Sequence, residues 1–290
     1  MSQNARIEVA AGWHRNISNG DYHGSNGASS SYLKRFLEET PHKIEYERLF
    51  CERKSSPAFD LGTATHTLVL EPQKFQDSII IRPSVDLRTK NGRAIMESFE
   101  AERGDRVAIT AEQLELAQAM AHELLSNRVS APLLEGAIVE QSIYWHQELE
   151  DGQFELCKVR PDALCRKKPL ILDVKTCESA SYDEMRRSIT KYRYHLSAAM
   201  YLEGVNQCGD LLHYLDVDQF EGFVLLCVES KPPHQVACYE IGFDLLGIGR
   251  VEFMTALTRM HNAQLTGWSS YPDVLRVIDA PKWNPTPPIL

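Results

Sequence analysis

The 290-residue chain has no apolar run of about 18 residues, the length that a transmembrane helix needs. Its first residues, MSQNARIEVAAGW, lack the charged and apolar regions of a signal peptide. The seven cysteines are dispersed and form no C-x-x-C pair. This set predicts reduced thiols and argues against an iron–sulfur cluster. We therefore expect a cytoplasmic protein with no membrane partner.

The sequence also lacks an excess of basic residues. Its 31 Lys and Arg residues against 40 Asp and Glu residues give a formal net charge of −9. Contacts with nucleic-acid phosphates usually need a basic surface, so this charge disfavours broad DNA binding. A small basic channel can still coexist with an acidic exterior.

The composition and its changes along the chain indicate the domain organisation. Hydrophobic residues make up 43% of the sequence, enough for one large core. Residues 1–28 are polar and rich in Gly, Asn and Ser, which predicts an extended or poorly ordered N-terminal arm. Residues 29–290 are predicted to form a single domain that begins with helices.

The most informative stretch is CKVRPDALCRKKPLILDVK, residues Cys157–Lys175. Two apolar runs, Phe154–Val159 and Leu170–Val174, flank the basic turn Arg166–Lys168. Pro169 follows that turn, and the whole pattern predicts a β-hairpin.

Charged residues interrupt this apolar stretch at three places. Asp162 follows the first predicted strand, and Asp173 and Lys175 share one face of the second, with Val174 pointing into the core. Two carboxylates beside an ammonium can hold a hard cation such as Mg²⁺. The local pattern alone leaves two alternatives open, a metal site and ordinary strand charges.

The spacing P-D-x(10)-D-V-K, from Pro161 to Lys175, resembles the core of PD-(D/E)xK nucleases. Three further segments resemble the RecE-type exonuclease VIII branch, a group of phage recombination nucleases. They are residues 27–47 (GASSSYLKRFLEETPHKIEYE), 62–72 (GTATHTLVLEP) and 271–283 (YPDVLRVIDAPKW). The resemblance covers residues 21–283 and depends on the order and joint presence of these segments.

This resemblance implies an α/β fold with a restriction-endonuclease-like core, in which helices flank both faces of a central mixed β-sheet. It implies a Mg²⁺-dependent exodeoxyribonuclease that acts on linear double-stranded DNA, with Mn²⁺ as a substitute and no ATP. The implied polarity is 5′ to 3′, leaving 3′ tails for a RecT-like single-strand annealing protein. A ring-shaped homo-oligomer, a tetramer, is also implied.

The resemblance also implies which residues act. Asp162, Asp173 and the Val174 carbonyl would bind metal, and Lys175 would orient or deprotonate the attacking water. His66 would be a further ligand, although a lone histidine on an apolar helix is more often a core residue.

Two further positions, Glu140 and Tyr201, are candidate accessory residues. Glu140 is either a further acidic group near the metal or a strand-edge charge. Tyr201 matches the tyrosine of the related Gln-x-x-x-Tyr segment, but Ser197 stands where that glutamine would be.

Candidate DNA contacts come from three regions. Ser29 and Ser31 lie at a predicted helix start, where they cap the helix or bind a phosphate. The basic candidates are Lys34, Arg35, Arg88, Lys90, Arg93, Lys191 and Arg193. Solvated surface charge is the alternative interpretation of the loop that contains Arg88 and Lys90.

Hydrophobic periodicity predicts the remaining elements. We expect strands over 137–147, 211–217 and 222–229, helices over 181–203 and 244–265, and an extended tail, PKWNPTPPIL, anchored by Trp283. Asp244 is the expected N-cap of the last helix.

Three other functions compete with the exonuclease hypothesis. A restriction-type endonuclease or a single-strand nuclease would share the same core motif. A degenerate module could hold DNA ends without cutting them. The net charge alone supports a structural protein with no nucleic-acid role.

Overall fold

Short strands alternate with helices along most of the chain. The structure is a computed structural model and describes residues 7–51 and 56–278. Within these residues the helices are α1 (Asn19–Gly24), α2 (Ser30–Glu38), α3 (Pro41–Phe50), α4 (Pro57–Leu70), α5 (Phe75–Ser78), α6 (Lys90–Arg103), α7 (Ala111–Ser126), α8 (Ser130–Leu134), α9 (Tyr182–Lys191), α10 (Tyr194–Asn206), α11 (Gly209–Leu215) and α12 (Phe243–Thr266). A 3-10 turn, Pro72–Lys74, precedes α5.

The strands build three sheets. They are β1 (Gly12–His14), β2 (Ile79–Ile81), β3 (Val107–Ile109), β4 (Ile138–Val139), β5 (Ser142–Glu148), β6 (Phe154–Val159), β7 (Ala163–Leu164), β8 (Leu170–Cys177), β9 (Gly222–Glu229) and β10 (Val236–Glu240). The strand orders are β10-β9-β8-β7-β4, β1-β5-β6 and β2-β3.

The five-stranded sheet is mixed and central. β8 and β9 pair in parallel, whereas the other three neighbouring pairs are antiparallel. Ile171 and Leu225 contribute to a core with α10 and α12 on one face. Leu172 and Val174 contribute to a second core with α4 and α7 on the other face. The predicted fold class, a mixed sheet with helices on both faces, is confirmed.

The alternation of β8 side chains places the charged residues of the central stretch. Ile171 packs in the α10 core, so Asp173 and Lys175 lie on that same face. Val174 packs in the α4 core with 7% of its surface exposed, as the sequence pattern predicts.

The N-terminal segment is bound to the sheet that β5 and β6 form. β1 pairs antiparallel with β5, and the buried Nζ of Lys158 on β6 donates to the carbonyl oxygens of Tyr22 (2.7 Å) and Ser25 (2.8 Å). The segment is thus extended in β1 but helical in α1, where Tyr22 is buried and Lys158 holds the end of the helix. The boundary between arm and domain stays a prediction, and residues 1–6 lie outside the described residues.

The predicted hairpin is only partly present. β6 pairs with β5 rather than with β8, and the antiparallel partner of β8 is the short strand β7. Pro161 lies between β6 and β7, where it cannot donate a ladder hydrogen bond. The chain therefore leaves one sheet at Arg160 and enters the other after Asp162.

Three predicted elements differ from the structure for identifiable reasons. The strand predicted over 137–147 is divided into β4 and β5 at Glu140, whose φ is +53°. The helix predicted over 181–203 is divided into α9 and α10 at Arg193, whose φ is +50°. Residues 211–217 were predicted as a strand, but α11 covers Gly209–Leu215, because an apolar run this short fits either element.

The ends of the chain complete the comparison. Gly242, not Asp244, is the N-cap residue of α12, and Asp244 lies in the first turn. The predicted tail PKWNPTPPIL and its anchor Trp283 lie outside the described residues. No helix in the described part of the chain combines the length and apolarity needed to cross a membrane.

Candidate active site

The candidate site lies where β8 passes α4 and the chain crosses between the two larger sheets. His66 projects from α4. Glu140 directly follows β4, and Asp162 directly precedes β7. The Glu140 amide donates to the Asp162 carbonyl oxygen at 3.1 Å, so the two crossing segments are joined through their backbones. Three elements distant in sequence thus converge on one point.

His66, Glu140 and Asp162 form a compact cluster of candidate ligands. One donor atom from each residue lies within 4.8 Å of the other two. His66 Nε2 is 3.0 Å from Asp162 Oδ2, and His66 Nδ1 is 3.6 Å from Glu140 Oε1. Asp162 Oδ2 also accepts a hydrogen bond from the Val174 amide at 2.8 Å.

Electrostatics links the protonation of these groups. Burial lowers the pKa of His66, but the Asp162 and Glu140 carboxylates outweigh burial and raise that pKa to about 9. Burial raises the pKa of Asp162, yet His66, Lys175 and the Val174 amide together bring it below its ordinary value. Without a cation, the cluster holds a protonated histidine against ionised Asp162.

Glu140 occupies a constrained position between His66 and Arg160. Its left-handed backbone conformation is uncommon for a residue with a side chain. Arg160 Nε lies 2.7 Å from Glu140 Oε2, and only 10% of the Arg160 side chain is exposed. Burial, followed by repulsion from Asp162, raises the pKa of Glu140 to about 7. Glu140 thus lies between His66 and Arg160 with 16% of its side chain exposed, and its part in the site stays a prediction.

Asp173 and Lys175 form an ion pair beside this cluster. Burial raises the pKa of Asp173 despite the attraction of Lys175. Burial lowers the pKa of Lys175, but Asp173 and Asp162 outweigh burial, so its pKa is raised. Without a cation, Lys175 is therefore held as an ammonium group.

A cleft of about 1450 Å³ opens from the cluster on the α4 side. Its walls include Lys175, Asp162 and Glu140, together with four further cationic groups. These are Arg15, Lys74, Arg106 and Arg160. The acidic residues Glu71, Asp77 and Asp105 also line the cleft, so charges of both signs surround the acidic centre.

The structure brings together the principal residues that the sequence indicates. His66, Asp162, Asp173, Val174 and Lys175 meet at this site, and Glu140 joins them. Tyr201 packs edge-on against Phe223 at 5.8 Å, and burial raises its pKa well above the ordinary value. Ser197 lies one turn earlier on α10, and its short hydroxyl side chain replaces the glutamine amide of the related Gln-x-x-x-Tyr segment.

The predicted DNA contacts have different outcomes. Ser29 caps α2 through the Tyr32 amide, and its Oγ lies 3.2 Å from Ser31 Oγ. Lys34 is a neighbour of Lys175, because both ammonium groups lie over the ring of Tyr194 at 5.6 and 5.5 Å. The exposed positions at 90, 93 and 191 remain candidate contacts.

Three arginines among the predicted DNA contacts are already engaged in ion pairs. Arg35 pairs with two glutamates, Glu39 and Glu47, each at 2.6 Å. Arg193 pairs with Glu38 and Glu252, and Arg88 pairs with Asp86. Their charges are thus partly neutralised within the protein.

Sequence reasoning missed the arginines and the N-terminal residues that line the cleft. Arg160 directly precedes the Pro161–Asp162 pair, so its place in the motif was an available signal. Arg15 packs over Trp13 at 4.0 Å and Tyr214 at 4.3 Å. Nothing in the polar N-terminal composition indicated that contact.

The residues present fit a divalent cation. Carboxylate oxygens and an imidazole nitrogen lie within 4.8 Å of one another at the edge of a cleft. Oxygen ligands suit Mg²⁺, and a mixed oxygen and nitrogen set also suits Mn²⁺. His66 must lose its proton before either ring nitrogen can bind a metal.

Comparisons with known proteins agree with this geometry. A family model described as a PDDEXK-like domain of unknown function (DUF3799) matches residues 29–270. A crystal structure described as a "Putative exonuclease" from Eubacterium rectale aligns with a TM-score of 0.59 and 12% identity, covering 92% of this chain and 96% of that one. At this identity the likeness shows the fold alone.

Two further comparisons found no informative similarity. The crystal structure of SSO0001 covers 78% of this chain and 85% of its own at 16% identity, but its TM-score is 0.27. No curated protein matches the sequence.

Proposed function

Because this chain belongs to the DUF3799 family of PDDEXK-like domains, we propose that it is a metal-dependent nuclease that hydrolyses phosphodiester bonds in DNA. More specifically, we propose a Mg²⁺-dependent exodeoxyribonuclease that degrades linear double-stranded DNA without ATP, and that accepts Mn²⁺. The observation that carries this proposal is the cluster of His66, Glu140 and Asp162 beside the Asp173–Lys175 ion pair.

The site residues have distinct roles in this proposal. Asp162, Asp173, the Val174 carbonyl and His66 would hold the metal, with Glu140 as a further acidic group. When bound, a divalent ion polarises the scissile phosphate and stabilises the leaving oxygen. Asp162 is already oriented by the Val174 amide, which limits the rearrangement that metal binding requires.

Lys175 would position the attacking water and neutralise charge on the phosphate. The sequence left open whether this lysine orients or deprotonates that water. In the metal-free protein the Asp173 and Asp162 carboxylates raise the pKa of Lys175. A cation bound to those carboxylates would oppose this effect, so both roles stay open for the metal-bound site. Arg160, paired with Glu140 at the cleft wall, would hold that carboxylate in place beside the metal ligands.

The finer assignment concerns the exonuclease VIII branch. The segments around Ser29, His66 and Asp162 occur in the same order as in the RecE-type branch. This resemblance supports an exonuclease that degrades DNA from 5′ to 3′ and leaves 3′ tails. On this proposal a RecT-like annealing protein receives those tails in the cytoplasm, and the enzyme forms a ring-shaped tetramer around DNA ends. The Eubacterium rectale protein described as a "Putative exonuclease" has a similar fold, which is compatible with this activity.

The test uses linear duplex DNA labelled at either the 5′ or the 3′ ends, incubated with protein and Mg²⁺. Early release of 5′-labelled mononucleotides or short products, with 3′-labelled strands retained, is the expected result. Covalently closed circles should remain intact under the same conditions. Cutting of the circles would instead support a restriction-type endonuclease.

A further inference from the structure

Two stacked tyrosine rings with lysine ammonium groups at both ends form a strip that leads from the surface to Lys175. The rings of Tyr192 and Tyr194 are stacked, with centroids 5.7 Å apart and an interplanar angle of 30°. Lys191 Nζ lies 5.1 Å from the Tyr192 centroid. At the other end, Lys34 and Lys175 lie 5.6 and 5.5 Å from the Tyr194 centroid.

This strip depends on the break between α9 and α10. Side chains two residues apart in a helix do not face each other. Arg193 adopts a left-handed conformation, with φ +50° and ψ +47°, and this turn brings Tyr192 beside Tyr194. Ion pairs to Glu38 and Glu252 hold Arg193 in place, so the two rings are presented by a fixed turn.

The outer part of the strip is accessible. Half of the Tyr192 surface is exposed, and Lys191 is exposed beside it. Within the described residues, no carboxylate forms an ion pair with Lys191 or with Lys34. Tyr194 is partly buried against the core and connects this outer part to the site.

We propose that the Tyr192–Tyr194 strip binds an unpaired segment of a DNA strand and guides it to the candidate active site. Exposed rings next to cationic groups provide stacking surfaces for bases and charge for the backbone, which is how single strands are bound. The bases of an intact duplex are already stacked on one another, so the Tyr192 ring favours frayed or single-stranded ends. This inference rests on the nuclease function proposed above, because the strip matters through its junction with Lys175.

The test measures the affinity of fluorescein-labelled oligothymidine and of a blunt duplex, with Ca²⁺ in place of Mg²⁺ to suppress cleavage. Tyr192→Ala should weaken single-strand binding by roughly five- to a hundred-fold. Tyr192→Phe keeps the ring and should remain within about twofold of the wild type, since stacking needs the ring and not the hydroxyl. Binding to the blunt duplex should change much less.

Tyr46→Ala is the matched control, because Tyr46 is similarly exposed and its ring contacts Phe50 on α3, with centroids 5.1 Å apart, rather than a ring of the strip. It should bind both DNAs as the wild type does. Lys191→Ala should also reduce the slope of log affinity against log salt by about 0.7 for the single strand.

Several results would overturn this inference. They are wild-type affinity of Tyr192→Ala for the single strand, an equal loss for both DNAs, or no single-strand binding by the wild type. Cleavage in Mg²⁺ is assayed separately. A wild-type protein that binds but never cleaves would refute the nuclease function while the stacking result still stands.

Discussion

Replacing Asp162 with asparagine tests the electrostatics of the site without removing side-chain volume. In the wild type, Asp162 is the largest of the influences that raise the pKa of His66 to about 9. A change from 6.5 to about 9 corresponds to about 3 kcal/mol in favour of the protonated ring, as an upper limit. In Asp162→Asn, burial and Lys175 oppose Glu140 alone, so the His66 pKa should fall towards or below its ordinary value.

The sign of the stability effect follows from the raised pKa. Between 6.5 and about 9 the folded wild type binds more protons than the unfolded chain. The contribution of His66 to stability is therefore fully present below pH 6.5 and is lost as the pH rises through about 9. Asp162→Asn should lose most of this contribution, so its deficit should be larger at pH 6 than at pH 10.

Two measurements on metal-free protein check this prediction. Histidine-selective NMR gives the titration of His66, with its signal assigned from a His66→Ala spectrum. Denaturant unfolding of wild type and Asp162→Asn at several pH values gives the difference in free energy. Titration of His66 near 6.5 in the wild type, or the same His66 pKa in both proteins, would show that Asp162 does not raise the pKa of this ring.

Two further changes separate chemistry from packing. Lys175→Ala should abolish cleavage but retain Mn²⁺ binding in calorimetric titration, because a protonated lysine is not a metal ligand; lost metal binding would contradict its role. Gly249→Ala on α12 should destabilise the fold by about 1–3 kcal/mol or more, since the new Cβ would lie 2.1 Å from the His195 carbonyl oxygen. Gly247→Ala, on the same helix with no atom within 4 Å, should be neutral or stabilising by up to about 1 kcal/mol in denaturant unfolding. Equal stability of the two glycine variants would contradict this packing.

The central stretch shows how much the sequence could predict. Alternation along an apolar strand was enough to place Asp173 and Lys175 on one face and Val174 on the other. It could not identify the pairing partner of that strand, because β6 and β7 are separated only by Arg160, Pro161 and Asp162. The choice of pairing partner depends on contacts with segments that are distant in sequence, and a local pattern carries no information about those contacts.

In the candidate site, too, the sequence indicates some of the residues and not others. The motif spacing indicated Asp162 and the later Asp–Lys pair, and the resemblance indicated His66. The part that Arg160 plays depends on the left-handed turn at Glu140, which a glutamate gives no local reason to expect. The stacked rings of Tyr192 and Tyr194 likewise depend on Arg193, whose conformation is held by ion pairs with residues distant in sequence.

The most direct test of the central claim measures acid-soluble nucleotide released from uniformly labelled linear duplex DNA. Wild type and Asp173→Ala are compared in Mg²⁺ and in EDTA, after circular dichroism has shown that both are folded. We predict release by the wild type in Mg²⁺ alone, and none by Asp173→Ala in either condition. Release in EDTA, or release by Asp173→Ala at the wild-type rate, would contradict a metal-dependent nuclease at this site.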